Sequence, residues 1–123
     1  YFQVARSVLA KGIKEKLGVK GVRVIGSLDM SVKEMAICTG SGGSLIPDFL
    51  SSKAQVYITG DLKYHEARDI ESQSRAAIDV GHFGSEHMVT ELMKTCLSER
   101  TKKSGLALEI IEYKKEEDPF KII

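Results

Sequence analysis

Three short apolar runs each end at a glycine, and those glycines stand 20 and 21 positions apart. Met35–Cys38 leads to Thr39-Gly40, Val56–Ile58 to Thr59-Gly60, and Ala76–Ile78 to Val80-Gly81. Helical patterns fill the gaps: Leu45, Ile46, Phe49 and Leu50 form a stripe after the first run, and Tyr64 to Ser72 reads as helix after the second. A continuous apolar run of this length suits a strand covered on both faces. Strands joined by helices of this size form parallel units with right-handed crossovers. The expected fold class is therefore α/β, a mostly parallel sheet with helices on both faces. The loops differ in sequence, so the rhythm is structural and not a solenoid repeat.

A parallel sheet puts all three glycine loops at the carboxyl edge of its strands, where open α/β sheets hold their ligands. Gly40–Ser44, Gly60–Glu66 and Gly81–Glu86 are accordingly expected to share one pocket. Around this frame, Ala5, Val8, Leu9, Gly12, Ile13 and Leu17 fall at helical spacing, with Gly18 as a C-cap. Val22–Ile25 reads as an edge strand interrupted by Arg23, Gly26–Ser31 as a turn, and Glu34–Cys38 as the next strand. Met88, Val89, Leu92, Met93, Cys96 and Leu97 make the stripe of a long amphipathic helix that is expected to pack in the core. Leu106, Leu108 and Ile110 alternate as a final strand would, Lys114–Asp118 is a solvated charge run, and Pro119–Ile123 is an apolar tail fit to dock on its own domain or a neighbouring subunit.

The 123 residues suffice for one domain, taken as residues 4–123. Tyr1-Phe2-Gln3 reads either as a tag remnant or as native linker and is set aside. With 18 basic and 17 acidic residues, the net charge of +1 argues against a nucleic-acid partner. No apolar run approaches the roughly 20 residues that span a bilayer, and no signal peptide is recognisable. Cys38 and Cys96 sit in apolar segments and read as reduced, buried thiols of a cytoplasmic protein.

Among residues able to do chemistry, His82 and Glu86 come first. An imidazole and a carboxylate four positions apart suit a divalent transition metal. The competing reading is structural: Glu86 in a first helical turn is favoured by the macrodipole, and His82 in a loop can bond to backbone. Gly60–Glu66 carries Asp61, Lys63, Tyr64, His65 and Glu66. Lys63 and Glu66 are ordinary at a helix start. His65 is the best candidate for a general acid/base or substrate contact, with Asp61 and Tyr64 beside it as pocket residues. Gly42, Gly43 and Ser44 belong to a glycine-rich turn that can hold an anion through backbone N–H groups, but the turn matches no phosphate-loop motif and reads equally as a tight strand-to-helix connection. His87 is expected at the surface.

Taken together, Ile37–Ser44, Tyr57–Ala67 and Ile78–Glu86, with the ending Asp118-Pro119-Phe120-Lys121-Ile122, resemble the GTP cyclohydrolase 1 type 2 homologue family, relatives of the NGG-interacting factor. The similarity runs from about Val22 to the end. It implies the C-terminal lobe of a two-lobed α/β protein, with two divalent ions (zinc, iron, manganese or similar) between the lobes and a toroidal hexamer as the assembly. It makes His82 and Glu86 metal ligands, Glu86 bridging the ions, and places the His65 segment in the same pocket. The family's remaining ligands, two histidines and an aspartate, belong to an N-terminal half with no counterpart here. That half is then the expected partner, and this half alone should bind metal weakly or not at all. Two functions are consistent with the resemblance: a metal-dependent hydrolase acting on a nucleotide or related small molecule, or a non-enzymatic metal-binding or regulatory protein.

Overall fold

A computed structural model describes residues 4–27 and 31–121. Tyr1–Gln3, the middle of the Gly26–Ser31 turn and the last two residues of the apolar tail lie outside the described residues. The chain opens with β1 (Val4–Ala5), which pairs antiparallel with β3 (Ser31–Val32), and with α1 (Arg6–Leu17). The main sheet is built from β2 (Arg23–Ile25), β4 (Met35–Ser41), β5 (Val56–Gly60) and β6 (Ala76–Asp79), in the order β2-β6-β5-β4. The strands β4, β5 and β6 run parallel, and β2 is antiparallel to β6 at the edge. A single 3-10 turn (Gly43–Leu45) and α2 (Ile46–Ser51) connect β4 to β5, and α3 (Tyr64–Ser72) connects β5 to β6. After β6 come α4 (His82–Glu86) and α5 (Val89–Lys103).

The two faces of the sheet bury different partners. On one, Val56, Ile58, Ala76, Ile78 and Val80 pack against Ala10 of α1, with Leu9, Ile13 and Leu17 alongside. On the other, Tyr57 and Ala77 meet Ile46 and Phe49 of α2 and Ile70 of α3. Strands β5 and β6 are buried along their whole length. At about 25 cal/mol per Å² of apolar surface, these two strands and the helices over them carry the fold. The α/β class, the mostly parallel sheet and helices on both faces agree with expectation.

Several expectations change. Strand β4 is an edge strand, and Met35 and Ile37 are exposed, because α1 covers β5 and β6 but does not reach over β4. The long helix is two: α4 ends at Glu86, and α5 begins at Val89. None of the stripe Met88, Val89, Leu92, Met93, Cys96 and Leu97 is buried. Helical spacing shows that a helix has an apolar face; it does not say what covers that face. Leu106–Ile110 forms no strand, and Leu106 and Leu108 are exposed, since a strand requires a sheet edge to pair with. This segment instead continues past α5, with Thr90 of that helix donating to Glu112 at 3.4 Å. Cys38 is half-buried and Cys96 exposed, both as free thiols. No helix among the described residues is long and apolar enough to cross a membrane.

Candidate metal centre

The three glycines that set the sequence rhythm come together. Gly40 turns at φ +66°, and a methyl group on its Cα would run into the Glu86 carboxylate, with the His82 ring next behind it. Gly60 lies directly on the backbone of Gly81, where a Cβ would stand 2.7 Å from the Gly81 carbonyl carbon. Only glycine allows both approaches. The loops after β4, β5 and β6 therefore meet at one end of the sheet, as parallel topology predicts.

At that meeting point α4 presents His82 and Glu86. His82 is the first residue of the helix rather than part of the preceding loop, so the two side chains occupy one face, one turn apart. Nε2 of His82 lies 3.1 Å from Oε2 of Glu86, and both side chains are about half exposed (49 % and 46 %). On the far side of the ring, Nδ1 lies 2.8 Å from Oδ2 of Asp61. The imidazole is held between two carboxylates. Its pKa is pushed above the ordinary 6.5, chiefly by the hydrogen bond with Asp61, which together with the charges of Glu86 and Asp61 outweighs the opposing effect of desolvation.

The backbone around this trio is fixed by buried polar groups to which sequence reasoning had given no role. Asp79, 2 % exposed at the end of β6, accepts the N–H of Gly81 on one oxygen and the N–H of Leu62 on the other, both at 2.9 Å. The Arg23 guanidinium also bonds to Asp79 and donates to the Leu62 carbonyl at 3.2 Å. One buried carboxylate thus ties the residue after Asp61 to the residue before His82. Ser85, also buried, accepts the Gly40 N–H at 2.8 Å and donates to the His82 carbonyl at 2.9 Å. Thr59 donates to the Gly40 carbonyl at 3.3 Å. The sequence does hold a signal for Asp79: an aspartate two residues before a glycine favours a turn in which its side chain caps the later N–H.

A second cluster holds the glycine-rich turn. Tyr57, 2 % exposed, donates from its hydroxyl to the Gly42 carbonyl at 3.0 Å and stacks on Phe49 with ring centres 5.0 Å apart. Burial, and then the neighbouring Cys38 thiol, push the Tyr57 pKa up to about 12. Gly42 has no room for a Cβ against Thr59 and Tyr57, and Gly43 has none against the Glu66 carboxylate. Glu66 also accepts the N–H of Lys63 at 2.7 Å, capping α3.

The structure brings His82, Glu86, Asp61 and Gly40 into contact, and ties Gly42 and Gly43 to the walls of the same region. It does not bring Ser44, Tyr64 or His65 to them by any hydrogen bond: all three are exposed, Tyr64 at 82 %, and the His65 side chain bonds to no described residue. His87 is half-buried rather than free at the surface, stacked on Phe83 with ring centres 5.0 Å apart and bonded to the Phe83 carbonyl at 3.0 Å.

His82 and Glu86 have the donor types and the spacing of two adjacent ligands of one divalent cation. Metal–nitrogen and metal–oxygen bonds of about 2.1 Å put two adjacent ligands about 3.0–3.4 Å apart, and the Nε2–Oε2 separation of 3.1 Å falls in that range. Asp61 sits behind the ring and cannot touch the same ion. Among the described residues no three His, Cys, Asp or Glu side chains converge as a ligand group.

Residues 3–119 match the family described as Duf34/NIF3 (NGG1p interacting factor 3). The chain belongs to the Duf34/NIF3 family. Similar proteins include the GTP cyclohydrolase 1 type 2 homologs of Lactococcus lactis, 34 % identical over 93 % of this chain and 44 % of that protein, and of Clostridium perfringens, 36 % identical over 90 % and 41 %. Among solved structures, a Staphylococcus aureus protein superposes with a TM-score of 0.92 at 29 % identity, covering 99 % of this chain and 39 % of the other. A Bacillus cereus protein related to NIF3 does so with 0.91 at 30 % identity, covering 99 % and 34 %. The chain thus spans about two fifths of the length of the Duf34/NIF3 relatives it matches.

Proposed function

We propose that this chain is the C-terminal lobe of a divalent-metal-binding protein, in which His82 and Glu86 supply one half of a dinuclear centre. The observation that carries the reading is the 3.1 Å pair of Nε2 and Oε2 on one face of α4, half open to solvent and backed by a glycine where any side chain would intrude. The remaining ligands come from the partner lobe, which occupies the three fifths of the relatives that this chain does not span. That lobe also covers the bare apolar stripe of α5. Repetition of the two-lobed unit gives a homo-oligomer, a hexamer in the complete protein.

Held by His82, Glu86 and the partner lobe, two divalent ions would supply Lewis acidity for hydrolysis of a small molecule such as a nucleotide. The protein's own part is to fix the ligands, hold together the loops around Gly40, Gly60 and Gly81, and offer His65, exposed in the first turn of α3, as a proton carrier. The name shared by the L. lactis and C. perfringens relatives supports a nucleotide or a similar ring-bearing substrate.

Elemental analysis tests the half-site. After dialysis the chain alone is expected to retain well under one ion per molecule. In a chimaera where it replaces the matching stretch of the S. aureus relative, two ions per chain are expected, and His82→Ala with Glu86→Ala should lower that content. A full complement in the isolated chain, or unchanged metal in the double variant, refutes the reading.

A further inference from the structure

We propose that Asp61 is a positioning residue: it holds the proton of His82 on Nδ1, which leaves the Nε2 lone pair directed toward Glu86 and available to a divalent cation. The inference rests on the metal half-site reading above and assigns Asp61 a part in it other than contact with a substrate.

A neutral imidazole carries one proton, and the nitrogen that bears it cannot ligate a metal. His82 has an acceptor on each side, Asp61 Oδ2 at 2.8 Å from Nδ1 and Glu86 Oε2 at 3.1 Å from Nε2. Were the proton on Nε2, it would point at Glu86 and occupy the ligand position. The closer carboxylate lies on the Nδ1 side, so the proton belongs there. Ligating histidines commonly donate their second N–H to a carboxylate, which fixes both tautomer and ring orientation.

Asp61 is not a chance neighbour at the surface. Its backbone is left-handed at φ +57°, a conformation that is strained for a non-glycine residue and persists where the surroundings enforce it. They do so here: the next residue, Leu62, is held by buried Asp79, which also holds Gly81 immediately before His82, and Gly60 packs on Gly81. The separation of Asp61 from His82 is therefore set by backbone, through one buried carboxylate, and not by two flexible side chains meeting in solvent.

The test uses two substitutions that the backbone tolerates. Asp61→Gly removes the carboxylate and is unstrained at positive φ. Asp61→Asn keeps an acceptor for Nδ1–H without the charge. Ring nitrogen shifts of His82, read by long-range proton–nitrogen NMR on the metal-free chain at pH 9, report the tautomer directly. The expected result is Nδ1–H in the parent, Nδ1–H largely retained in Asp61→Asn, and a shift to Nε2–H in Asp61→Gly. A parent dominated by Nε2–H, or an unchanged tautomer in Asp61→Gly, overturns the proposal. In the chimaera, competition with a zinc indicator should show affinity 10–100-fold weaker for Asp61→Gly than for the parent, and equal affinity also overturns it. If the parent chimaera binds no zinc, the half-site reading fails and the metal part of this inference with it, while the NMR result still decides whether Asp61 sets the tautomer.

Discussion

Asp79 is the residue whose loss most directly tests how the site is built. Its carboxylate is 2 % exposed and accepts two backbone N–H groups, those of Leu62 and Gly81, besides the Arg23 guanidinium. Asp79→Ala leaves both amides without their acceptor. A buried donor so stranded costs about 1–3 kcal/mol. Leu62 is buried and bears that cost in full, whereas Gly81 is half-buried and recovers part of it from water. The Arg23 side chain is 68 % exposed, so its ion pair adds less than about 1 kcal/mol. The expected loss is about 2–5 kcal/mol, a large share of the usual 5–15 kcal/mol of a folded domain. Urea unfolding followed by circular dichroism measures it, with the slope unchanged if the transition remains two-state. Asp79→Asn keeps one acceptor and should fall between parent and alanine, while Arg23→Ala should cost less than about 1 kcal/mol. An Asp79→Ala chain within about 0.5 kcal/mol of the parent, or an Arg23→Ala chain as unstable as Asp79→Ala, would show that the clamp is not held by this carboxylate.

Three further outcomes follow from the same geometry. Gly40→Ala forces a Cβ into the left-handed region and against Glu86, so it should cost at least about 1–2 kcal/mol in urea unfolding and displace the His82 ring resonances; an unperturbed His82 would refute the close approach. The folded-state pKa of His82 lies above 6.5, so the protonated ring stabilises the fold fully below that value, and the contribution is lost as pH rises through the folded pKa. An NMR titration of His82 should therefore show a midpoint above 6.5 in the parent that drops in Asp61→Gly, and a parent midpoint below 6.5 would contradict the pairing. Leu92 is 64 % exposed, so Leu92→Gln should leave the stability of this chain within about 0.5 kcal/mol, and a loss of several kcal/mol would mean that the α5 stripe is buried after all.

The elements that the sequence made legible are those whose signal is local. Strands β5 and β6 are short, apolar and bounded by glycines, and α3 starts and stops where its polar and apolar residues change over. The convergence of three loops was readable because parallel topology leaves no other place for them. The contact of His82 with Glu86 was readable because helical spacing alone brings such residues together. What escaped were the side-chain bonds by which one loop holds another. Asp79 holds Leu62 across 17 positions and Ser85 holds Gly40 across 45, and neither spacing has a sequence signature. Asp61 was read as a pocket residue because topology sets its loop opposite His82; that its carboxylate bonds to Nδ1 behind the ring follows only from how the two loops meet.

The misreading of α5 has the same root. Amphipathic spacing in Met88–Leu97 is a statement about one face of one helix, and burial is a statement about two surfaces. The alternation in Leu106–Ile110 is likewise only half of a strand pairing, and the exposed Met35 and Ile37 on β4 are half of a covered sheet face. These three bare features occur in a chain that matches about two fifths of each relative. Each is a surface whose complement the sequence pattern presupposes and the described residues do not contain. The buried sheet shows no such deficit: β5 and β6 are closed on both faces by α1, α2 and α3. The same chain that satisfies its core leaves one helix face and one strand edge bare, and under the proposed reading these are the surfaces on which a partner lobe would pack.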